Sequence, residues 1–94
     1  IVALVTPMHE SGELNLDSFR NLILWHLQEG TNGIVVNGTT GESATLTSAE
    51  KLDLLRIAVE TVAGKIPVIA GTGTSSTATT IQETRVAASC GVDA

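Results

Sequence analysis

The sequence predicts an α/β fold in which short parallel strands alternate with helices. Apolar runs that are too short for typical helices alternate with longer segments whose apolar residues recur at helical spacing. A glycine follows each helical segment, at Gly30, Gly64 and Gly91, so the unit repeats about every thirty residues. Such units form right-handed βαβ crossovers. Both an open doubly wound sheet and a (β/α)₈ barrel are built from them, and three units alone leave that choice open.

Three strands and the approach to a fourth are predicted in order. The first strand covers 1–5 and ends at a Thr-Pro pair, and the second covers 33–37. The third covers 66–70, with Pro67 near its start, where proline is tolerated. Residues 92–94 are interpreted as the approach to a fourth strand.

Each of the three helices has a predicted N-cap: Asp17, Thr47 and Ser76. Thr47 and Glu50 have the spacing of a capping box. Apolar residues are predicted on one side of each helix: Phe19, Leu22, Ile23 and Leu27 in the first, Leu52, Leu55, Val59 and Val62 in the second, and Ala78, Ile81 and Ala88, together with Arg85, in the third.

Composition narrows the function classes. The 94 residues suffice for one small domain, and the net charge of −5 argues against nucleic acid or an anionic membrane as the main partner. The apolar runs are too short to span a bilayer. Cys90 is the single cysteine, which precludes an internal disulfide and fits a reducing, cytoplasmic compartment.

The stretch from Asn37 to Ser43 connects the predicted second strand to the second helix. Ligands bind at this carboxyl edge of the sheet in α/β folds. Gly38 and Gly41 allow backbone amides to approach a ligand closely, and Thr39 and Thr40 add hydroxyl donors. The pattern predicts a site for a small carboxylate or phosphate. The alternative is a tight βα connection with Ser or Thr capping the next helix.

Three segments carry a family resemblance: Ile-Val-Ala-Leu-Val-Thr-Pro at 1–7, Gly-Thr-Thr-Gly-Glu-Ser-Ala-Thr-Leu at 38–46, and Ile-Pro-Val-Ile-Ala-Gly-Thr-Gly at 66–73. In order and register they resemble the start of the pyruvate-dependent class I aldolases, the family of dihydrodipicolinate synthase and N-acetylneuraminate lyase. The Thr-Thr-Gly-Glu-Ser form favours the synthase branch. The resemblance implies a (β/α)₈ TIM barrel, of which 1–94 would be the first three βα units within a single domain.

The resemblance also implies an activity. Members of the synthase branch are lyases that condense pyruvate with aspartate semialdehyde through a Schiff base, in lysine (diaminopimelate) biosynthesis, with no cofactor or metal. By resemblance, Thr40 binds the pyruvate carboxylate and Thr39 belongs to the proton relay. A homo-oligomer, a dimer of dimers, is expected. The alternatives are a sibling aldolase acting on a sugar acid, and a non-catalytic α/β fragment that binds an anion.

The Schiff-base lysine is expected to lie outside these residues. Lys51 and Lys65 are the only lysines; Lys51 lies early in the second helix, and Lys65 lies in the turn before the third strand. Neither position suits a nucleophile inside a barrel. By resemblance, that lysine, the relay tyrosines and a substrate-binding arginine follow Ala94, so the 94 residues alone are expected to be inactive.

Four positions bear on regulation by resemblance. Many bacterial members bind free lysine as a feedback inhibitor at a dimer interface. They have histidines where this chain has Ser48 and Lys51, and Asn and Glu where it has Ser75 and Thr79. A cationic Lys51 and the loss of a carboxylate disfavour a cationic ligand. The sequence therefore predicts weak or absent inhibition by lysine.

Five other residues receive structural interpretations. We expect Glu42 to be a carboxylate that ties the turn to neighbouring amides. Asn37 is expected to form hydrogen bonds at the strand end, and Cys90 to be a small buried apolar residue. His9 is expected in a loop and His26 on the helix surface or in packing, since neither has metal-ligand spacing to a partner.

Overall fold

The computed structural model describes all of residues 1–94 and contains a three-stranded parallel sheet. Strand β1 spans Val2–Ala3, β2 spans Ile34–Val36 and β3 spans Val68–Ala70. The three strands lie where the apolar runs predict them, but each is shorter than its run. The predicted positions and parallel pairing are confirmed, whereas the predicted bounds are too wide.

The strands pair in the order in which they occur in the chain, β1-β2-β3. Right-handed crossovers between successive neighbours place the helices on one face of the sheet. Ile34 and Val36 are buried beneath the helices, whereas Ala3, Val35 and Ile69 alternate to the opposite face, where Ala3 is exposed and the other two are partly accessible. A doubly wound sheet would have helices on both faces. The topology therefore favours the barrel over the open sheet.

The three helices follow the predicted order: α1 spans Leu16–Gln28, α2 spans Ser48–Val62 and α3 spans Thr77–Ser89. The predicted capping box of α2 is confirmed. The amide of Glu50 donates to Thr47 Oγ1 at 3.1 Å, and the amide of Thr47 donates to Glu50 Oε1 at 2.9 Å. None of these helices combines the length and the apolar composition that crossing a bilayer requires.

The predicted cap of α3 is confirmed, whereas the predicted cap of α1 is wrong. Ser76 Oγ accepts from the amide of Thr79 at 3.3 Å. In α1 the N-cap is Asn15, whose Oδ1 accepts from the amide of Ser18 at 3.0 Å. Asp17 lies inside the first turn instead, where its carboxylate favours the positive end of the helix dipole.

The core lies between the sheet and the helices, with α1 packed closely against α2. The buried face of α2 includes Leu54 and Ala58, which the predicted stripe omits, while Leu52 is only half-buried. The largest fully buried side chains are Phe19, Ile23, Ile34, Val36, Leu54 and Val62. Aliphatic side chains supply nearly all of this core, as expected for strands packed under helices.

The predicted apolar face of α3 is wrong. Ala78, Ile81, Arg85 and Ala88 are all exposed, and the buried residue of this helix is Ala87. The helix consists largely of Ala, Thr and Ser, so its apolar residues do not form one distinct stripe. Packing against α2 selects the buried face in this case.

The segment after α3 runs beside β3. The amide of Ala70 donates to the carbonyl of Ala94 at 2.8 Å, and the amide of Asp93 donates to the carbonyl of Val68 at 2.9 Å. Asp93 Oδ2 also accepts from the amide of Val68 at 2.9 Å. This pairing agrees with the prediction that the chain approaches a fourth strand here.

Candidate functional site

Asn37 turns the chain out of β2 at the carboxyl edge of the sheet. Its backbone is left-handed, with φ 61°, a conformation that asparagine tolerates better than most residues. The side chain is 3% exposed, and Nδ2 donates to the carbonyl of Lys51 in α2 at 3.1 Å. The predicted role of Asn37 in strand-end hydrogen bonding is confirmed, and its partner belongs to the next helix.

The turn after Asn37 presents two hydroxyls to solvent. Thr39–Gly41 forms a single 3₁₀ turn, entered from an extended Gly38. Thr39 and Thr40 are both exposed, and neither hydroxyl has a hydrogen-bond partner within the chain. The hydrogen bonds inside the turn come from the amides of Gly41 and Glu42, to Gly38 and Thr39. Both hydroxyls are therefore available to a ligand.

The backbone beside this turn is packed too closely for added side chains. A Cβ on Gly41 would lie 2.9 Å from Thr6 Oγ1 and 3.0 Å from the carbonyl oxygen of Leu4. A Cβ on Gly71, after β3, would overlap the carbonyl group of Asn37. Glycine at position 41 allows the turn to lie against the end of β1, and glycine at position 71 allows the end of β3 to lie against the end of β2.

An open cleft of about 650 Å³ lies beside the turn at the same edge of the sheet. Its walls come from the 3₁₀ turn at Thr39–Gly41, a second 3₁₀ turn at Ser43–Thr45, the loop after β3 and the first part of α2. The lining residues are Thr39, Glu42, Ser43, Ala44, Thr45, Lys51, Gly73, Thr74 and Ser75. The structure therefore brings Thr39 together with Lys51 and Ser75, but Thr40 does not line this cleft.

The two lysines of the chain differ in their surroundings. Lys51 Nζ lies 3.1 and 3.2 Å from the two carboxylate oxygens of Glu83 in α3, and both side chains are largely buried. Lys65 is exposed in the turn between α2 and β3. A Schiff-base lysine must present a free amine to the carbonyl carbon of its substrate. The amine of Lys51 is not free, because it pairs with both carboxylate oxygens of Glu83. Lys65 lies too far from the site, at the opposite end of β3 from the turn.

Three of the four positions that the resemblance connects with lysine binding line two depressions. Ser75 and Lys51 line the open cleft, whereas Ser48 and Lys51 line a smaller pocket between α2 and α3. Thr79 is exposed on α3, where its amide donates to Ser76. Lys51 thus lines both depressions.

The predicted role of Glu42 is wrong. Its side chain is exposed, and its carboxylate makes no hydrogen bond to the neighbouring amides. The backbone of Glu42 has φ 61°, and its carbonyl accepts from Thr45 Oγ1 at 2.9 Å. The main chain of this residue shapes the connection, while its carboxylate is exposed at the cleft.

The histidines and the cysteine occupy the predicted structural positions. His9 is an exposed loop residue. His26 is half-buried near the end of α1, where Nδ1 lies 2.8 Å from Thr31 Oγ1. Its ring packs edge-on against Trp25, with the two ring centroids 4.9 Å apart. Cys90 follows α3 and packs partly buried against the core.

Comparison with known proteins identifies the family. The whole chain, residues 1–94, matches the Dihydrodipicolinate synthetase family. The chain belongs to this family. A curated relative from Dechloromonas aromatica, named 4-hydroxy-tetrahydrodipicolinate synthase, is 59% identical over 93 residues. That match covers 99% of this chain and 32% of the relative, so the chain spans about a third of the length of its relatives.

Solved structures of the dihydrodipicolinate synthetase family share the fold. The dihydrodipicolinate synthase of Acinetobacter baumannii, solved in complex with pyruvate, is 41% identical, with a TM-score of 0.96 over 98% of this chain and 32% of that one. The N-acetylneuraminate lyase of Mycoplasma synoviae is 25% identical, with a TM-score of 0.91 over 100% of this chain and 32% of that one. The strands and helices described above are therefore the first three βα units of a (β/α)₈ barrel.

Two contributors to the site have no counterpart among the sequence predictions. Thr6 and Gly71 both contact the turn, one through a hydrogen bond and the other through close backbone packing. Thr6 lies three residues beyond β1, directly before Pro7, and Gly71 follows β3 directly. Both lie beyond the carboxyl end of a strand, at the edge where ligands bind, and that placement is the signal that could have found them.

Proposed function

We propose that the protein containing these residues is a lyase that condenses pyruvate with aspartate semialdehyde through a Schiff base, in the diaminopimelate route to lysine. Membership of the dihydrodipicolinate synthetase family and the shared name of the curated relatives support this assignment. The observation that carries it is the turn at the carboxyl edge of the sheet, where the hydroxyls of Thr39 and Thr40 are free.

In this proposal Thr40 binds the carboxylate of pyruvate through its hydroxyl and its amide. A carboxylate accepts charge-assisted hydrogen bonds, each stabilising by roughly 1.5–3 kcal/mol. Thr39 belongs to the proton relay that serves Schiff-base formation and cyclisation. The relay tyrosines, the Schiff-base lysine and a substrate-binding arginine would come from residues after Ala94, within the same single barrel domain.

A pair of substitutions at Thr40 in the full-length protein tests the proposed function. We expect Thr40→Val to lower kcat/KM for pyruvate by roughly ten- to a hundredfold, because it removes one charge-assisted hydrogen bond. Thr40→Ser retains the hydroxyl and should keep most of the activity. Steady-state kinetics with both substrates provide the measurement. Equal activity of the Val and Ser variants would contradict the assignment.

Thr39→Val distinguishes the two threonines. Loss of a relay hydroxyl should lower kcat while the affinity for pyruvate changes little, since Thr39 does not hold the carboxylate in this proposal. The equilibrium affinity for pyruvate and kcat are measured on the same preparation. If Thr39→Val weakens pyruvate binding as much as Thr40→Val does, the two threonines do not have the separate roles proposed here.

The proposal extends to assembly and location. We place the enzyme in the cytoplasm as a homotetramer, a dimer of dimers, as the family resemblance implies. Sedimentation of the full-length protein measures the assembly directly, and a monomer across the concentrations used for catalysis would remove the tetramer from the proposal.

Weak or absent inhibition by free lysine is part of the same proposal. Lys51, one of the positions that the resemblance connects with lysine binding, lines the cleft, and its partner Glu83 lines the smaller pocket between α2 and α3. An ammonium ligand there would meet the Lys51 ammonium, and the carboxylate of Glu83 is already paired with Lys51. We expect the full-length enzyme to keep its activity at micromolar lysine. Strong inhibition in that range, measured at saturating pyruvate, would refute this part.

A sibling aldolase acting on a sugar acid is the alternative function. The structural similarity to N-acetylneuraminate lyase supports it, at lower sequence identity than to the synthases. Both activities use pyruvate, so assays that vary the aldehyde separate them: cleavage of N-acetylneuraminate with no turnover of aspartate semialdehyde would favour the aldolase. The 94 residues alone could at most bind an anion at the turn.

A further inference from the structure

Thr6 makes a buried contact with the turn that carries Thr39 and Thr40. It lies two residues beyond Leu4, just after β1, and is 7% exposed. Its Oγ1 donates to the carbonyl oxygen of Gly41 at 2.6 Å. The two residues are 35 positions apart in the chain, so this hydrogen bond joins the end of one strand to the connection that follows the next.

The other hydrogen bonds of the turn do not fix its far end to the sheet. The amides of Gly41 and Glu42 donate to carbonyls of the turn itself. Asn37 holds the start of the turn, through its bond to Lys51 in α2. At the far end, directly after Thr40, the side-chain hydrogen bond comes from Thr6.

Packing around Gly41 leaves this hydroxyl little freedom. A Cβ on Gly41 would meet both Thr6 Oγ1 and the carbonyl oxygen of Leu4 at about 3 Å, so the turn lies directly against the end of β1. With the hydroxyl removed, the Gly41 carbonyl would lose its buried partner and would rotate or shift to find another. Because Gly41 follows Thr40 in the same short turn, such a shift displaces the Thr40 hydroxyl and amide.

We propose that Thr6 is a positioning residue for the carboxylate-binding turn: its hydroxyl holds the Gly41 carbonyl and thereby places Thr40 toward the pyruvate carboxylate. This inference rests on the function proposed for Thr40. Thr6 does not contact the substrate in this scheme. It acts on pyruvate binding through the geometry of the turn, as groups that preorganise a site do.

The test compares Thr6→Val with Thr6→Ser in the full-length protein. Valine keeps the volume of threonine and removes the donor, whereas serine keeps the donor and removes a methyl group. We expect Thr6→Val to lower kcat/KM for pyruvate about three- to tenfold, the range for loss of one neutral hydrogen bond. The value of kcat/KM for the aldehyde substrate should stay within twofold, and Thr6→Ser should restore most of the pyruvate value.

Several outcomes would overturn the inference. These are an unchanged kcat/KM for pyruvate in folded Thr6→Val, an equal loss for both substrates, and a serine variant that fails to recover. If Thr6→Val does not fold, Thr6→Cys replaces it, because the weaker thiol donor should give a partial loss confined to pyruvate. A cysteine variant with the wild-type pyruvate value would then refute the role.

Thr40→Val, assayed in parallel, separates this inference from the proposed function. When Thr40→Val lowers kcat/KM for pyruvate and Thr6→Val does not, the carboxylate turn stands and the role of Thr6 is wrong. When Thr40→Val has no effect, the function assigned to the turn is wrong, whatever Thr6 does. Thermal unfolding of each variant shows whether a kinetic change exceeds what loss of folded protein explains.

Discussion

At the scale of single residues, side-chain oxygens and amides at the ends of helices and strands decide how the chain turns. Asn15 caps α1 and Thr47 caps α2. Asn37 follows β2 in a left-handed conformation and donates a hydrogen bond to α2. Asn15 shows how close two candidate caps can be in sequence: Asp17 has the right chemistry, but it stands two residues inside the helix. Only Asn15 accepts the hydrogen bond from a backbone amide that defines a cap.

Asn15→Ala and Asp17→Ala provide a matched test of the cap. We expect Asn15→Ala to lower the free energy of unfolding of the full-length protein by about 1 kcal/mol, because the amide of Ser18 loses its acceptor. Asp17→Ala should cost less, since its ion pair with Arg20 is exposed and 3.5 Å long. Urea unfolding gives both values. A larger effect at Asp17 than at Asn15 would reverse the assignment of the cap.

At the scale of elements, α2 organises the site. The capping box fixes the start of α2. The backbone carbonyl of Lys51 accepts a hydrogen bond from the Asn37 side chain, and the ammonium group of Lys51 pairs with Glu83 of α3. The few contacts between α2 and α3 make this ion pair an important link between them. Both side chains are largely withdrawn from solvent, so the pair differs from an exposed surface salt bridge.

A double-mutant cycle on Lys51 and Glu83 tests this link. We expect Lys51→Met alone to destabilise the full-length protein by roughly 1–3 kcal/mol, because Glu83 is left as a poorly solvated, unpaired carboxylate. Adding Glu83→Gln should recover part of that loss, giving a measurable coupling energy. Arg20→Met in the exposed pair with Asp17 is the control and should change stability little. Additive effects of the two changes would show that the pair does not couple.

At the scale of the whole molecule, the 94 residues form one sector of a barrel, three strands with their helices packed on one face. All helices lie on one face of the sheet, and Ala3, Val35 and Ile69 lie on the other, which becomes the barrel interior. The chain covers about a third of the length of its relatives. It supplies the turn proposed to hold the carboxylate, and neither of its lysines presents a free amine to that turn.

Borohydride trapping with pyruvate tests this division of the active site. In the full-length protein we expect a reduced pyruvate adduct on a lysine outside residues 1–94, located by peptide mass spectrometry. Lys51 should remain unmodified because Glu83 holds its ammonium at 3.1 and 3.2 Å, and Lys65 because it lies away from the turn. The isolated 94-residue chain, treated identically, should give no adduct. Trapping on either lysine would contradict the proposed site.

Local signals in the sequence determined the order of the elements, the capping box at Thr47, the helix-ending glycines and the position of the turn at Thr39 and Thr40. These features depend on residues within a few positions of one another, so composition and spacing suffice to predict them. Resemblance of three short segments to a known family supplied the barrel and the candidate roles of both threonines, which local patterns leave open.

Tertiary structure decided the features that depend on distant partners. It selected Ala87 as the buried residue of α3, paired Lys51 with Glu83, and brought Thr6 against Gly41. No local period encodes these contacts, because each forms only when successive βα units pack side by side on one face of the sheet. Sequence alone therefore located the turn, while the packing of strand ends around it determined which groups hold it in place.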